Sequence, residues 1–300
     1  MFRAIAIVTL VVQHLAGVET AYRDDLHYEA VDRGVITSET ATVWDAPAMT
    51  GRDYVLMRPA SGAEVHLRLV EAAPGTPPAT ALRTTGWNAA ELLVTDPDAL
   101  ALQLDGSAFR MIGPPRNLAA GENPTRAMQV LGPEGEALYL TRFVPGTSGL
   151  DLGRAATPVD RVFIVVVGGR DLDALRAFYR DALGLPLTEY GQWPIGVLAA
   201  AWCLPAGTRF ALAGAALPRD FMVELDDYPD QTLPRRRAPG ALPIGWAMVT
   251  FTAPELDDLA VNWRSPPRPL AGQPYRGRMT GVTVGPAGEW IEVIEAPVAR

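Results

Sequence analysis

The sequence contains no lysine: all 26 of its basic residues are arginine. That removes Schiff-base chemistry through a lysine amine, pyridoxal-phosphate catalysis included, and leaves planar, bidentate anion recognition as the natural use of its cations. Cysteine is nearly absent. Cys203 alone cannot make a disulfide, a thiolate zinc site or an iron–sulfur cluster within one chain, and in the apolar run LAAAWCLP it reads as a buried, inert thiol. A reducing cytoplasm is the expected setting. Histidine is confined to His14, His27 and His66. Positive charge is in deficit overall. With a net charge of −8 and a pI near 5.0, the chain lacks the counterion-release contribution that binding to nucleic acid or an anionic membrane requires. The expected partner is a small molecule, with no nucleic acid and no membrane, and a homodimer is compatible with the composition. Long apolar runs are missing too. The N-terminal MFRAIAIVTLVVQHLAG turns polar at Gln13, short of the roughly 20 residues that span a bilayer. It has a counterpart inside the chain, so it is expected to be a strand rather than a cleaved leader. No P-loop, dinucleotide fingerprint, HExxH or nucleophile elbow occurs.

What is present is a chain built twice, its 300 residues being long enough for two domains with cores of their own. Gly86-Trp87 followed by NAAELLVTDPDAL matches Gly245-Trp246 followed by AMVTFTAPELDDL, each an apolar strand leading to an acidic helix start. GPEGEALYL, from Gly132, matches GPAGEWIEV, from Gly285, each a Gly-rich turn feeding a strand. AYRDDLHY, from Ala21, pairs with AFYRDALGL, from Ala177, behind the strands AIAIVTLVV and RVFIVVV. The order is four related modules. In the third, a strand is expected over about Arg161–Val167 and a helix over Leu172–Leu183, with Asp171 as N-cap and Gly184 as stop. Further strands are expected over Pro186–Tyr190, Gly196–Cys203 and Phe221–Leu225. The Gly/Pro-rich segment around residues 146–160 reads as the linker between domains 1–145 (modules 1 and 2) and 161–300 (modules 3 and 4).

The run RVFIVVVGGRDLDALRAFYRDALGLPL, with Asp171, Leu172, Phe178, Tyr179, Leu183 and Gly184, resembles the opening of a vicinal oxygen chelate module. The ends of modules 2 and 4 resemble the same family's closing turn and strand. The resemblance, to the glyoxalase, bleomycin-resistance and extradiol-dioxygenase group, implies an α/β (α+β) fold of four βαβββ modules paired into two half-open barrels. In such folds a metal sits on His or Glu from the first and last strands of the modules. Here no first strand carries a histidine, and Glu91 is their one strong ligand type, so a 2-His-1-carboxylate iron site is not expected. The cofactor expectation is none, or a single divalent metal held through Glu292.

Strand alternation selects the inward side chains. In WIEVIEA, Ile291 and Val293 suit the helix-covered face, leaving Trp290, Glu292 and Ile294 inside. In FMVELDD, Glu224 faces inward with Met222 and Asp226. In EVHLRLVE the inward residues are His66 and Arg68, and Tyr139 matches Glu292 in the other closing strand. Glu292 with Glu224, or His66 with Tyr139, are the candidate acid–base groups, Arg68 an anion clamp. Trp87, Trp246, Trp290 and Trp202 are candidate walls for a flat ligand. For each the competing reading is core packing or a solvated surface. His27 suits a helix C-cap, His14 a helix start, and Arg235–Arg237 a solvated loop or pocket entrance. Two functions follow from the resemblance: an enzyme of lyase, isomerase or dioxygenase type on a small aromatic or carbonyl-bearing substrate, or a non-catalytic protein that sequesters such a molecule.

Overall fold

A computed structural model describes residues 2–118, 124–144, 152–188, 190–218 and 220–296. Module 1 runs β1 (Ala4–Val12), α1 (Leu15–Leu26), β2 (Tyr28–Val35), α2 (Ser38–Val43), β3 (Asp53–Pro59) and β4 (His66–Glu71). Module 2 is β5 (Thr84–Val94), α3 (Pro97–Gln103), β6 (Arg110–Asn117), β7 (Arg126–Leu131) and β8 (Ala137–Arg142). Module 3 is β9 (Val159–Gly169), α4 (Leu172–Ala177), β10 (Gly191–Pro194), α5 (Gly196–Ala201), β11 (Arg209–Leu217) and β12 (Phe221–Asp227). After the two-residue β13 (Leu233–Pro234), module 4 is β14 (Gly245–Ala253), β15 (Arg268–Pro269), β16 (Met279–Val284) and β17 (Trp290–Glu295).

The sheets do not follow the two halves of the chain. One has the order β15-β16-β17-β14-β1-β4-β3-β2, and the other β10-β11-β12-β9-β5-β8-β7-β6. Module 1 therefore joins module 4 through the antiparallel β1–β14 pair, and module 2 joins module 3 through β5–β9. The expectation of one barrel from modules 1 and 2 and another from 3 and 4 is replaced by this interleaved pairing. Each module's first strand has one edge left over after pairing with its own last strand, and a repeat pattern does not say which two edges meet. Of the expected linker, residues 146–151 lie outside the described residues, and Val159 and Asp160 already belong to β9.

Local chemistry explains the other departures. The stretch read as a strand over Gly196–Cys203 is helical at α5 because three consecutive alanines favour helix, and it leaves Cys203 exposed rather than buried. In module 4 no helix follows β14. Pro266 and Pro267 cut the segment short, and Leu256, Leu259, Val261 and Trp263 fill the space instead. In module 3 the Asp171 side chain does cap α4, accepting from the Ala174 N–H at 2.8 Å, and the helix continues as a wider π-turn over Phe178–Ala182.

One continuous apolar layer lies between the sheets. It contains the inward sides of α1, α3 and α4 with Leu67, Leu69, Val223, Leu225, Ile291 and Val293 from the strands. The opposite face of each strand, holding Arg68, Glu292, Glu224 and Tyr139, turns toward the concave side of its own sheet, where separate clusters form.

Candidate functional site

In the barrel of modules 1 and 4, four strand residues and two loop aromatics close on one another. Glu292 of β17 is 0% exposed and Arg68 of β4 is 2% exposed. Arg68 Nη2 donates to Glu292 Oε2 at 3.0 Å, its Nε and Nη2 to Thr9 Oγ1 at 3.0 and 2.9 Å, and its Nη1 to the Tyr275 hydroxyl at 2.6 Å. Glu292 is saturated. Oε1 accepts from Trp44 Nε1 at 2.7 Å and from Tyr275 at 2.8 Å, and Oε2 also accepts from Thr250 Oγ1 at 2.6 Å. Trp44 lies just after α2 and stacks on the guanidinium at 4.6 Å. Burial alone would lower the Arg68 pKa, but Glu292 and Tyr275 raise it above the ordinary arginine value. His66 stands two residues away at the half-buried rim, where burial holds its pKa below the usual range.

The barrel of modules 2 and 3 has the opposite character. Glu91 of β5, Glu224 and Asp226 of β12 and Tyr139 of β8 lie on its concave side, with Tyr228 just beyond β12. Burial, then the Glu224 charge, pushes Glu91 up to about 8, opposed by a hydrogen bond from Thr141. Glu224 and Asp226, two residues apart on β12, face the same side of the strand. Burial and then the Asp226 charge lift Glu224 well above the carboxylate range, while burial pushes Asp226 up to about 7. Among the described residues no ion pair reaches any of the three. The Tyr139 and Tyr228 hydroxyls and Asp226 Oδ1 are buried with no hydrogen-bond partner. Both phenols feel the charges of Asp226 and Glu224. Tyr228 can lie there because residue 168 is glycine: a β-carbon at Gly168 would stand 2.5 Å from the tyrosine ring. Leu82, Val197, Leu198 and Phe210 wall the cluster, and Glu224 is its partly accessible member.

No family model and no curated protein matches the sequence, but solved structures match the whole architecture. Glyoxalase I from Zea mays superposes with a TM-score of 0.64 at 15% identity, covering 97% of this chain and 92% of that one. A putative dioxygenase from Bacillus subtilis gives 0.62 at 11% identity, covering 99% of this chain and 86% of that one. The fold is the one seen in these glyoxalase I and dioxygenase structures. Identities this low establish architecture and carry no substrate or reaction with them.

The vicinal oxygen chelate fold implies a metal, and the side chains present do not fit one. In the barrel of modules 1 and 4 the guanidinium of Arg68 stands beside Glu292, and every carboxylate lone pair is already taken. In the other barrel the first strand of module 3 offers Val166 opposite Glu224 and Gly168 opposite Asp226, neither of them a ligand. Among the described residues no group of three or more His, Cys, Asp or Glu is arranged to hold an ion. Glu292 as a metal ligand is thus replaced by Glu292 as half of a buried ion pair.

The interleaved pairing separates the residues that the sequence put together. His66 and Tyr139 fall on different sheets, as do Glu292 and Glu224. Trp87 and Trp246 join the two barrels, and Trp246 also lines a small pocket with Asn88, Glu136 and Arg235. The Trp87 indole donates to the Trp290 carbonyl at 2.7 Å, and the Trp246 indole to that of Ala137 at 2.8 Å. Arg235, expected in a solvated loop, binds the carbonyls of both tryptophans. Trp290 is covered by Arg264 at 4.5 Å and Arg237 at 5.4 Å. His14 pairs with Glu134 at 2.8 Å, and His27 is the left-handed C-cap of α1. Sequence reasoning passed over Tyr228 and Trp44. A signal for the latter exists, since TVWDAPA matches AAWCLPA, and Asp45 and Cys203 share a left-handed backbone with φ of 50° and 54°. A cavity of about 320 Å³ lies elsewhere, between the start of α4 and the Pro286–Gly288 turn. Arg170 and Asp171 are the charged residues among its described lining.

Proposed function

We propose that this chain is an acid–base enzyme acting on a small aromatic or carbonyl-bearing molecule, with its working site in the barrel of modules 2 and 3. The observation that supports this most is the pair of inward carboxyl groups Glu224 and Asp226 on β12, set near Glu91 and the buried, unbonded hydroxyls of Tyr139 and Tyr228, with no ion pair to any of the three acids among the described residues. Two carboxyl groups sharing one proton can give that proton to one substrate atom and take another from a neighbouring atom, ending with the charge they began with. On a carbonyl compound, the ionised member takes a proton from the carbon next to the carbonyl, the C–H electron pair becomes a C=C bond, and the carbonyl π pair moves onto oxygen. The Tyr139 hydroxyl, otherwise unbonded, donates to that oxygen. Return of a proton elsewhere completes an isomerisation. Acidities near neutrality suit such transfers.

The barrel of modules 1 and 4 acts in this reading as a closed structural node, and Glu292, Arg68 and His66 take no part in proton transfer. The test is incubation of aromatic and carbonyl compounds in heavy water with the wild type, Glu224→Gln and Asp226→Asn, reading deuterium incorporation by mass spectrometry. Exchange that the wild type catalyses and both variants lose supports the proposal. Exchange unaffected by either variant overturns it. The apolar enclosure of the two unbonded phenols also suits a sequestering protein, and compounds that bind without exchange would assign that function instead.

A further inference from the structure

The two barrels differ most in charge balance. In one, a buried carboxylate is matched by a buried guanidinium; in the other, three carboxyl groups share a concave face with two unbonded phenols and no basic partner. The charged and titratable groups around this face are Glu91 from β5, Tyr139 from β8, Glu224, Asp226 and Asp227 from β12, and Tyr228. Arg116 from β6 acts on Tyr139, and Arg235 acts on Tyr228. Neither arginine is ion-paired with the carboxyl groups. Arg235 is committed to the carbonyls of Trp87 and Trp246, and Arg116 reaches the Pro194 carbonyl at 3.5 Å.

Carboxyl groups without a basic partner ionise readily beside a cation and resist doing so beside a carboxylate, phosphate or sulfonate ligand. A cation is therefore favoured, and the absence of a convergent ligand set among the described residues turns that preference away from a metal ion. The remaining surroundings are apolar and aromatic: Tyr139, Tyr228, Phe210, Leu82, Val197 and the partly buried Trp202. Carboxylates and the faces of aromatic rings are together the usual partners of an organic ammonium group. The buried acceptor Asp226 Oδ1, unused within the protein, matches an N–H donor. Tyr139 and Tyr228 can each accept another.

We infer that the ligand of this barrel carries an organic ammonium group, held by Glu224 and Asp226 with its apolar part against Tyr139, Tyr228 and Phe210. This rests on the proposed site and narrows its ligand from any small aromatic or carbonyl compound to a cationic one. It also predicts a linkage. Carboxyl groups that are protonated in the free protein must release protons when a cation arrives, so affinity rises with pH, approaching tenfold per pH unit for each proton displaced.

The experiment uses three probes of one shape and different charge: benzylammonium, benzyl alcohol and benzoate. Each is titrated calorimetrically into the full chain between about pH 6 and about pH 8, in phosphate and in Tris, whose different ionisation heats report released protons. The expected result is saturable binding of benzylammonium with proton release, tightening as pH rises and weakened at least tenfold in Glu224→Gln and in Asp226→Asn. Benzoate does not bind. Because each substitution replaces a carboxyl group by a neutral amide of the same shape and creates no buried charge, the variants stay folded, which melting curves verify. Preference for benzoate or benzyl alcohol that the same variants abolish overturns the ammonium assignment and leaves the site standing. Binding indifferent to both variants, or no saturation by any probe at about 10 mM, overturns the assignment and the site together.

Discussion

Arg68 and Glu292 meet at 3.0 Å between the last strands of modules that stand at opposite ends of the sequence. They are 224 residues apart in the chain, and neither reaches solvent. A pair so placed is costly to half-remove, because a lone charge then remains in a low-dielectric interior. Arg68→Met is expected to destabilise the fold by about 3–5 kcal/mol, while Arg68→Met with Glu292→Leu recovers most of that loss. Urea unfolding of the three proteins measures both. A cost under about 1 kcal/mol for the single variant would show that solvent or another group neutralises Glu292.

The two GPxGE turns are locked by their own glutamates. Glu136 accepts from the Glu134 N–H at 3.0 Å and from the Tyr22 hydroxyl at 2.9 Å, and Glu289 accepts from the Ala287 N–H at 2.8 Å. A β-carbon on Gly132 or Gly285 would stand 2.0 Å from the carboxylate folded over it. Gly132→Ala and Gly285→Ala should each cost about 1–3 kcal/mol through overpacking. Adding Glu136→Ala or Glu289→Ala should relieve the clash, so that the double variant loses less than the sum of its parts. Additive losses would mean that the glycine is needed for its backbone alone.

Stability should fall as pH rises from about 5 to about 8, because burial raises the pKa of these carboxyl groups in the folded state. Burial comes first among the causes for each: Glu136 and Asp226 lie near 7, Glu91 and Glu289 near 8, against ordinary values of 4.5 for glutamate and 3.8 for aspartate. The folded state holds more protons than the unfolded state in this window. Their stabilisation is complete below the unfolded values and is lost as pH passes the folded ones, at about 1.4 kcal/mol per unit of displacement. Melting temperatures across the window test this, and Asp226→Asn should flatten the slope. A melting temperature that climbs toward pH 8 would mean that the native carboxyl groups are already ionised.

Trp87→Phe and Trp246→Phe each leave a buried carbonyl unbonded, at about 1–3 kcal/mol. Arg235 touches the backbone of both residues, so the two effects should depart from additivity in a double-mutant cycle, and the departure should shrink in an Arg235→Met background. Strict additivity in both backgrounds would mean that the two contacts act independently.

Alternation along FMVELDD and WIEVIEA placed Val223, Leu225, Ile291 and Val293 in the layer between the sheets and turned Glu224 and Glu292 away from it. That much was legible because a strand's period is fixed by its own backbone. The partners of those carboxylates were not. Glu292 finds Arg68, and Glu224 and Asp226 come near Glu91 and Tyr139, through contacts between strands that no local pattern encodes. Asp226 was recognisable as inward-facing, whereas Tyr228 lies past the end of its strand, where alternation ceases to apply.

The sequence by itself determined the four modules and the faces of their strands, since each depends on residue type and short-range period. Only the tertiary structure decided that module 1 joins module 4 and module 2 joins module 3. That choice put the arginine beside one glutamate and left the other acids without a cation. The reason is physical: every first strand offers an edge with the same hydrogen-bonding groups, so local pattern cannot distinguish the partners. The chain as a whole selects them by the packing of the layer between the sheets and the cross-barrel bonds of Trp87, Trp246 and Arg235.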